Sequence, residues 1–203
     1  MRILASYLNL DFDYFSAPSK YDNKVFRKYG YGGLSPGRRA CFLGHYMIYK
    51  SIIDEGFHSA LILEDDVDFE TDITEIMTEI HRNLPAYWDT LFIGHCYEYK
   101  GKLVDNSSFA NRLYESRTPH CTHAYAVSYW GARKLVEKLD PMIPHDAIDL
   151  ALLEIVTNKE ITSYSVHPTP IIQWNDGNNP SDIPESQYTY FSLKNSTLFF
   201  LGY

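Results

Sequence analysis

Apolar residues recur along the chain with two alternating spacings. Residues 40–54 carry apolar side chains at steps of three and four, which predicts a helix that buries one face. Residues 60–63 are uniformly apolar, a pattern typical of a central strand that is covered on both faces. Residues 73–84 return to helical spacing before Pro85, and residues 90–94 are again a short apolar run. The first half therefore predicts the order helix, strand, helix, strand.

The second half repeats this alternation. Residues 124–128 are predicted to form a strand, and residues 132–139 a helix that ends before Pro141. Residues 148–156 show a further helical stripe, and residues 161–166 read as a strand. Strands that alternate with helices predict an α/β domain with a mostly parallel, mixed central sheet flanked by helices.

The N-terminal part is less regular. Residues 1–8 are short and apolar, which predicts a first strand, and residues 9–37 are rich in Asp, Tyr, Gly and Pro, which predicts a long loop. Structureless loops of this length are usually functional. Ligands of such α/β sheets bind beyond the carboxyl ends of the strands, so candidate chemistry is sought there.

Composition indicates one globular, acidic domain. The chain has 203 residues, of which 45% are hydrophobic and 15% aromatic, and its formal net charge is −8. This composition excludes a disordered chain, and the acid excess argues against nucleic-acid partners, whose phosphates require clustered Lys and Arg. No stretch approaches the roughly 20 apolar residues of a transmembrane helix. We expect residues 1–203 to form a single domain, which can also be part of a longer polypeptide.

The cysteines set an expectation about the compartment. Cys41, Cys96 and Cys121 are odd in number and widely spaced, which favours neither a disulfide framework nor a paired zinc motif. Together with the absence of a signal-like N-terminal segment, this predicts a reducing, cytoplasmic location. His120 and His123 flank Cys121, but no fourth ligand follows at zinc spacing, so a soft metal site is disfavoured.

Three consecutive acids follow the apolar run at residues 60–63. Glu64, Asp65 and Asp66 repel one another, so their position at a strand end favours neutralisation by a cation. Oxygen ligands suit Mg²⁺ or Mn²⁺, which bridge diphosphates. The alternative is that Asp65 and Asp66 cap a turn and face solvent.

The same region resembles the core of glycosyltransferase family 25. The resemblance rests on short motifs in matching order and spacing: residues 34–45, Tyr49-Lys50, residues 54–56, residues 61–67, residues 123–128, Gly131-Ala132, Pro144 to Asp149-Leu150, His167-Pro168 and Gln173. It covers roughly residues 34–182. Two departures bear on the donor sugar: many members carry Gly-Glu where this chain has Gly37-Arg38, and Ser-His where it has Gly44-His45.

The resemblance implies a GT-A type, Rossmann-like fold and a metal-dependent glycosyltransferase. It implies a nucleotide-diphosphate sugar donor, usually a UDP-sugar, from which a hexose passes to a glycan or glycoprotein acceptor. It also implies a divalent cation, Mn²⁺ or Mg²⁺, at the acidic motif. Asp66 is then the direct metal ligand, with Glu64 or Asp65 near the ribose or the water shell of the metal. Apart from the resemblance, Asp176 in the polar loop at residues 174–180 can complete the metal shell.

An acceptor hydroxyl that attacks with inversion needs a base within hydrogen-bond reach. Asp149 matches the Pro-x-Asp aspartate of the family, and Asp146 lies within one turn of it. The alternative is that both acids stabilise a helix N-terminus. If the reaction instead retains configuration, Asp149 becomes an acceptor-binding residue.

Further candidates surround this motif. Arg38 and Arg39 open the predicted helix beside the Gly-rich loop, and both arginines and helix N-termini favour a diphosphate. They are alternatively solvated charges. His45 lies on the apolar side of that helix, where it is either a hydrogen-bonded core histidine or a donor contact.

The acceptor is expected at polar and aromatic side chains beyond the strands. His95 follows the strand at residues 90–94 and can share an edge with the acids. Trp174 and Asn175 open a loop that combines an aromatic ring with hydrogen-bonding groups, a mixture that suits a sugar but also makes ordinary turns.

Two other functions use the same residues. A phosphohydrolase or nucleotidyltransferase can employ the carboxylates with a metal, and a non-catalytic carbohydrate-binding module can retain the fold alone. The donor sugar and the acceptor stay open at this point.

Overall fold

The computed structural model describes residues 1–29, 33–105, 110–143, 145–174 and 192–203. Within them the helices are α1 (Arg2–Leu8), α2 (Asn23–Phe26), α3 (Pro36–Asp54), α4 (Ile73–Asn83), α5 (Tyr129–Lys138), α6 (Ile148–Thr157) and α7 (Thr197–Phe200). The strands are β1 (Ser59–Leu63), β2 (Val67–Phe69), β3 (Thr90–Gly94), β4 (Arg112–Glu115), β5 (Ala124–Ser128), β6 (Ser163–His167) and β7 (Ile171–Gln173). No helix among the described residues is both long and apolar enough to cross a membrane.

A five-stranded mixed sheet with the order β1-β5-β3-β6-β4 forms the centre, and β2 pairs with β7 in a second, two-stranded sheet. The predicted α/β class, with a mixed central sheet flanked by helices, is confirmed and is consistent with a GT-A-like fold. The parallel character is smaller than predicted, because only β3 and β6 run parallel in the described part of the chain. Hydrophobic periodicity reports burial and does not report strand direction.

The strand β1 is an edge strand, so its predicted central position is wrong. Leu61 is 47% exposed. It borders a cavity of about 560 Å³ together with Leu10 and Met77. The strand is apolar on both faces because Leu61 borders this cavity on one face and Ile62 packs into the core on the other.

The predicted first strand at residues 1–8 is instead the helix α1. Leu4 and Leu8 lie one turn apart, and both are buried in the same cluster as Ile76 and Ile80 of α4. A short apolar run fits either period, and here packing against α4 selects the helical one. Asn9 ends the helix in the left-handed conformation, with φ at 52°.

The helix α3 positions much of the candidate chemistry. It begins at Pro36, four residues before the predicted start, because Ser35 caps it by accepting a hydrogen bond from the Arg38 N–H. Phe42 and Tyr49 are 0% exposed and contact the sheet. Full burial of one such side chain contributes about 1.5–3 kcal/mol.

Two buried clusters cover the two faces of the central sheet. Helices α3, α5 and α6 contribute to one cluster, and α1 and α4 contribute to the other. Along β3, Phe92 enters the first cluster while Leu91 and Ile93 enter the second. The core thus fixes β3 from both faces and holds the ends of its neighbours in place.

A disulfide joins the loops at one end of the sheet. Cys96 and Cys121 are bonded, with their Cα atoms 5.7 Å apart, and Cys41 is a free thiol. This corrects the expectation that the cysteines form no disulfide. The pair is 25 residues apart in sequence and is brought together by the antiparallel β3–β5 ladder, a contact that spacing alone does not reveal.

Candidate active site beyond the end of β1

Glu64 follows the last residue of β1 and is held from two sides. Its backbone N–H donates to the His123 carbonyl at 2.9 Å, and its Oε1 accepts from the Thr122 hydroxyl at 3.0 Å. On the other side, His45 Nε2 of α3 lies 3.6 Å from Glu64 Oε1. The carboxylate is therefore positioned by α3 and by the loop before β5.

A buried chain of hydroxyl groups orients the His45 ring. His45 Nδ1 lies 2.8 Å from the Tyr125 hydroxyl, which lies 2.5 Å from the Tyr49 hydroxyl. Burial raises the pKa of both phenols, so they stay protonated and act as hydrogen-bonding groups. The ring nitrogen that remains, Nε2, faces Glu64. Of the two alternatives for His45, the structure shows a hydrogen-bonded buried histidine that also contacts the acidic motif.

These contacts decide the ionisation of Glu64. Burial by itself raises the pKa of Glu64, but the hydrogen bond and charge of His45, the charge of His123 and the Thr122 hydroxyl lower it, and the net shift is downward. Glu64 is therefore a carboxylate at neutral pH. A negative group fixed beside a cation or a ribose hydroxyl suits the predicted role.

Asp66 is held by the second sheet. Gln173, the last residue of β7, donates from Nε2 to Asp66 Oδ2 at 2.6 Å, and the Trp174 backbone N–H donates to the Asp66 carbonyl at 2.6 Å. Burial, together with the charges of Glu64 and Asp65, raises the pKa of Asp66 to about 6 against the opposing effect of Gln173. A site that disfavours the bare carboxylate is one that a cation can complete.

The second oxygen of Asp66 tests whether a metal fits. Asp66 Oδ1 is buried, and no described residue donates a hydrogen bond to it. Buried carboxylate oxygens normally have a partner. A hard divalent ion supplies one, so the donor set fits Mn²⁺ or Mg²⁺ with Asp66 as ligand. Asp65 is exposed beside it.

Asp149 lies in the first turn of α6 and is electrostatically linked to this site. Burial raises its pKa, the charge of Glu64 adds to this, and His120 acts in the opposite direction. The half-buried Cys41 thiol of α3 lies within 4.8 Å of the ligand atoms of His45 and Glu64. Its pKa is raised by burial and then by Glu64, Asp149 and Asp66. The charges of Glu64, Asp66 and Asp149 thus all act on the Cys41 thiol.

Asp146 is placed differently from Asp149. Asp146 is exposed, and its Oδ1 accepts from the adjacent Ala147 N–H at 2.7 Å. The helix α6 has Ala147 at its N-cap and no side-chain cap. Of the two predicted catalytic acids, only Asp149 is linked to the acidic motif in the described structure.

Arg38 and Arg39 lie half-buried in the first turn of α3, as predicted. The Arg39 Nε–H donates to the Leu34 carbonyl at 2.8 Å, and the Arg38 N–H donates to the Ser35 cap. These bonds order the loop before α3. Phosphate binding by the two guanidinium groups stays a prediction.

The predicted acceptor residues Trp174 and His95 lie in different surroundings. Trp174 is half-buried, and its backbone N–H donates a hydrogen bond to the Asp66 carbonyl. His95 is 1% exposed and packs against His167 with 4.5 Å between ring centroids, a position that gives no support to contact with an acceptor. Burial and the neighbouring His167 lower the pKa of His95 to about 4. Asn175 and Asp176 lie outside the described residues.

Several contributors were not predicted for the site. Tyr125 lies within a predicted strand, and nothing in its spacing shows that its hydroxyl reaches His45. No motif or spacing around Thr122 or Cys41 indicates that either residue lies near the acidic motif. Gln173 belongs to the family resemblance, but no role was assigned to it. Gly94 matters by its lack of a side chain, since a Cβ there meets His123 Nε2 at 2.5 Å and the Ile171 carbonyl at 2.8 Å.

Comparison with known proteins decides the family. The sequence model described as "Glycosyltransferase family 25 (LPS biosynthesis protein)" matches residues 13–151, more than half of the chain. The chain belongs to glycosyltransferase family 25. The matched range includes Glu64, Asp66 and Asp149 of the candidate site, while Gln173 and Trp174 lie beyond it.

Curated relatives of this family 25 chain fall into two groups. The chain is 30% identical over 140 residues to procollagen galactosyltransferase 1 of Danio rerio, covering 66% of this chain and 22% of that protein. It is 31% identical over 121 residues to procollagen galactosyltransferase 2 of Homo sapiens, covering 56% and 19%. It is also 31% identical over 125 residues to a "probable inactive glycosyltransferase 25 family member 3" of Bos taurus, covering 56% and 20%. The chain therefore spans about a fifth of the length of these relatives.

Proposed function

We propose that this chain is a metal-dependent glycosyltransferase that transfers a hexose from a UDP-sugar to a glycan or glycoprotein acceptor. The observation that carries the proposal is the buried Asp66 Oδ1, to which no described residue donates a hydrogen bond. The net downward shift of the pKa of Glu64, two residues earlier, favours its carboxylate form and supports the proposal. Membership of family 25 supports the reaction class.

The residues divide the work as follows. Asp66 would hold the cation, and Glu64 would contact the ribose or the cation's water shell. When bound, Mn²⁺ or Mg²⁺ neutralises the charge that develops on the departing diphosphate. Gln173 fixes Asp66, while His45 and Thr122 fix Glu64. This fixed geometry supplies the positioning that lowers the barrier to transfer.

Asp149 is the proposed base. Its raised pKa makes its carboxylate a stronger acceptor of the proton of an attacking sugar or protein hydroxyl. Direct attack assisted in this way inverts the anomeric configuration. If configuration is retained, Asp149 instead positions the acceptor, so the stereochemistry of the product distinguishes the two roles.

The names of the relatives suggest galactose and a procollagen-type acceptor as the first substrates to test. Because the chain spans about a fifth of those proteins, the substrates are proposed here only as starting points. A cytoplasmic location stays a prediction, and the Cys96–Cys121 bond favours an oxidising compartment instead.

A second candidate is a non-catalytic sugar-nucleotide-binding or glycan-binding module. Relatives named as inactive members of the same family favour it. Such a module keeps the fold and can keep nucleotide binding, but it does not turn over a donor. Binding and turnover must therefore be measured separately.

Titration calorimetry of UDP against the full chain, with and without Mn²⁺, tests the binding step. We expect UDP to bind at least about tenfold more tightly with Mn²⁺, since a cation held by Asp66 would offset the negative charge of the diphosphate. UDP-galactose, UDP-glucose and GDP-mannose are then screened for hydrolysis or transfer. UDP binding that is absent or indifferent to the cation would contradict the proposed function. Metal-dependent UDP binding without turnover of any donor would favour the binding module.

A further inference from the structure

Three buried side chains outside the acidic motif converge where β3 and β6 end, at the same end of the sheet as that motif. His167 Nε2 lies 3.3 Å from Glu98 Oε2, and His95 Nε2 lies 4.0 Å from the same oxygen. The three ligand atoms lie within 4.8 Å of one another. Ligands of one tetrahedral ion with bonds of about 2.0–2.2 Å are roughly 3.3–3.6 Å apart, so a small inward movement of His95 completes the geometry.

This cluster, His95–Glu98–His167, places a carboxyl group in the protein interior, which is unusual. The Glu98 side chain is 0% exposed. Its Oε1 accepts from the Arg117 backbone N–H at 2.7 Å. In the described part of the chain, the basic side chains within ion-pair distance of Glu98 are the two histidines alone. A buried carboxylate without a permanent cation is costly, and a divalent ion removes that cost.

The fold places the three ligands at or just after the ends of two strands. His95 directly follows β3 and His167 ends β6, the parallel neighbour of β3. Glu98 is fixed by its bond to the Arg117 N–H, and the intervening Cys96 is anchored by the disulfide to Cys121. Sites built on strand ends with a supported carboxylate are pre-organised for metal binding.

We propose that His95, Glu98 and His167 form a second metal site, specific for a transition ion of the Zn²⁺ type. Two imidazoles and one carboxylate are a recurrent ligand set for zinc, with a fourth position for water, whereas Mg²⁺ and Mn²⁺ favour oxygen ligands. The site is independent of the proposed transfer reaction. It ties the carboxyl ends of β3 and β6 together beneath the loop that holds Thr122 and His123.

Metal binding exchanges existing hydrogen bonds for coordination. His95 Nε2 now lies 3.1 Å from the Val166 carbonyl, and His167 Nε2 contacts Glu98 directly. Coordination through both Nε2 atoms places the proton of each ring on Nδ1. No covalent chemistry is involved, and Glu98 keeps its Oε1 bond to Arg117 while Oε2 binds the ion.

Cobalt(II) titration of the chelator-treated full chain tests this site. We expect one equivalent of Co²⁺ to give visible absorption bands typical of four-coordinate Co²⁺, and one equivalent of Zn²⁺ to displace it. Glu98→Gln keeps the shape of the side chain and its acceptor for the Arg117 N–H, and it should weaken Co²⁺ binding on the order of 100-fold or more. Asp66→Asn is the matched control and should leave the cobalt spectrum unchanged.

X-ray absorption of the zinc-loaded wild-type chain gives a readout that does not depend on a variant folding. Scattering from two imidazoles confirms the proposal, and a shell with fewer than two imidazoles contradicts it. Absence of four-coordinate cobalt bands in the wild type also contradicts it. So does a Glu98→Gln variant that is folded by circular dichroism and binds Co²⁺ as tightly as wild type.

Discussion

The acidic motif and the His95–Glu98–His167 cluster are built in opposite ways. Glu64, Asp65 and Asp66 are consecutive in sequence, lie at the end of an edge strand and range from half-buried to exposed. The histidine cluster joins His95 and Glu98, from the segment after the interior strand β3, to His167 at the end of the interior strand β6, and all three side chains are buried. The first region is open enough for the diphosphate and cation proposed above, whereas the second is closed around the ion proposed for it. The two proposed sites therefore lie side by side at one end of the sheet.

The largest expected effect comes from neutralising Asp66. Asp66→Asn removes the proposed cation ligand, and we expect donor turnover to fall by about 100-fold or more, since the charge on the leaving diphosphate is no longer neutralised. Asp72→Asn, an exposed acid with no side-chain cap bond at the start of α4, is the control and should leave turnover unchanged. Initial rates with the best donor measure both. Equal rates for Asp66→Asn and wild type would contradict the proposal that the acidic motif is the reaction site.

Reduction of the Cys96–Cys121 disulfide tests how much this bond, which lies between the two regions, contributes to the stability of the fold. Breaking Cys96–Cys121 should lower the free energy of unfolding by about 2–4 kcal/mol, since the closed loop of the unfolded chain is released. Urea denaturation with and without a phosphine reductant measures this. A Cys41→Ser variant treated in the same way is the control, because Cys41 is the free thiol and should not change the difference. Equal stability of oxidised and reduced chains would show that the loops are held without the bond.

The smallest expected effect concerns the hydroxyl chain behind the acidic motif. Tyr125→Phe removes the partner of His45 and should lower kcat several-fold with little change in KM, while stability falls by about 1–2 kcal/mol. Tyr49→Phe removes only the outer hydroxyl and should cost similar stability while keeping kcat. If both variants lose kcat alike, the chain acts through general packing and does not position His45.

Local features of the sequence predicted much of the fold. The bounds of β3 and β5 agree with prediction, and α4 and α6 agree to within one residue at their ends. Their signals are periodic apolar side chains over several turns or a full strand. The helix α1 was mistaken for a strand because eight residues hold too few repeats to separate the two periods. Strands β2, β4 and β7 were not predicted, since each has only three or four residues.

The candidate site was predictable where it is local. Glu64 and Asp66 are marked by three adjacent acids, and Asp149 by its motif. The supports of these carboxylates come from elsewhere in the chain: Thr122 and Tyr125 are placed by the antiparallel β1–β5 pairing, and Gln173 by β2–β7. Pairing direction and register decide these contacts, and neither is encoded in periodicity. For the same reason the proximity of His167 to His95 could not be predicted from the sequence.

Gly94 has a practical consequence for dissecting this protein. The backbone at the end of β3 is in contact with His123, whose carbonyl holds the Glu64 N–H, so there is no room for even one methyl group. An alanine there would act as a wedge that displaces His123 without altering any charge. Gly94→Ala would therefore perturb the acidic motif by a steric effect alone. Gly94 also directly precedes His95 of the second proposed site. Its effect on the two sites, measured in a single variant, would show how rigidly the sheet end transmits a displacement.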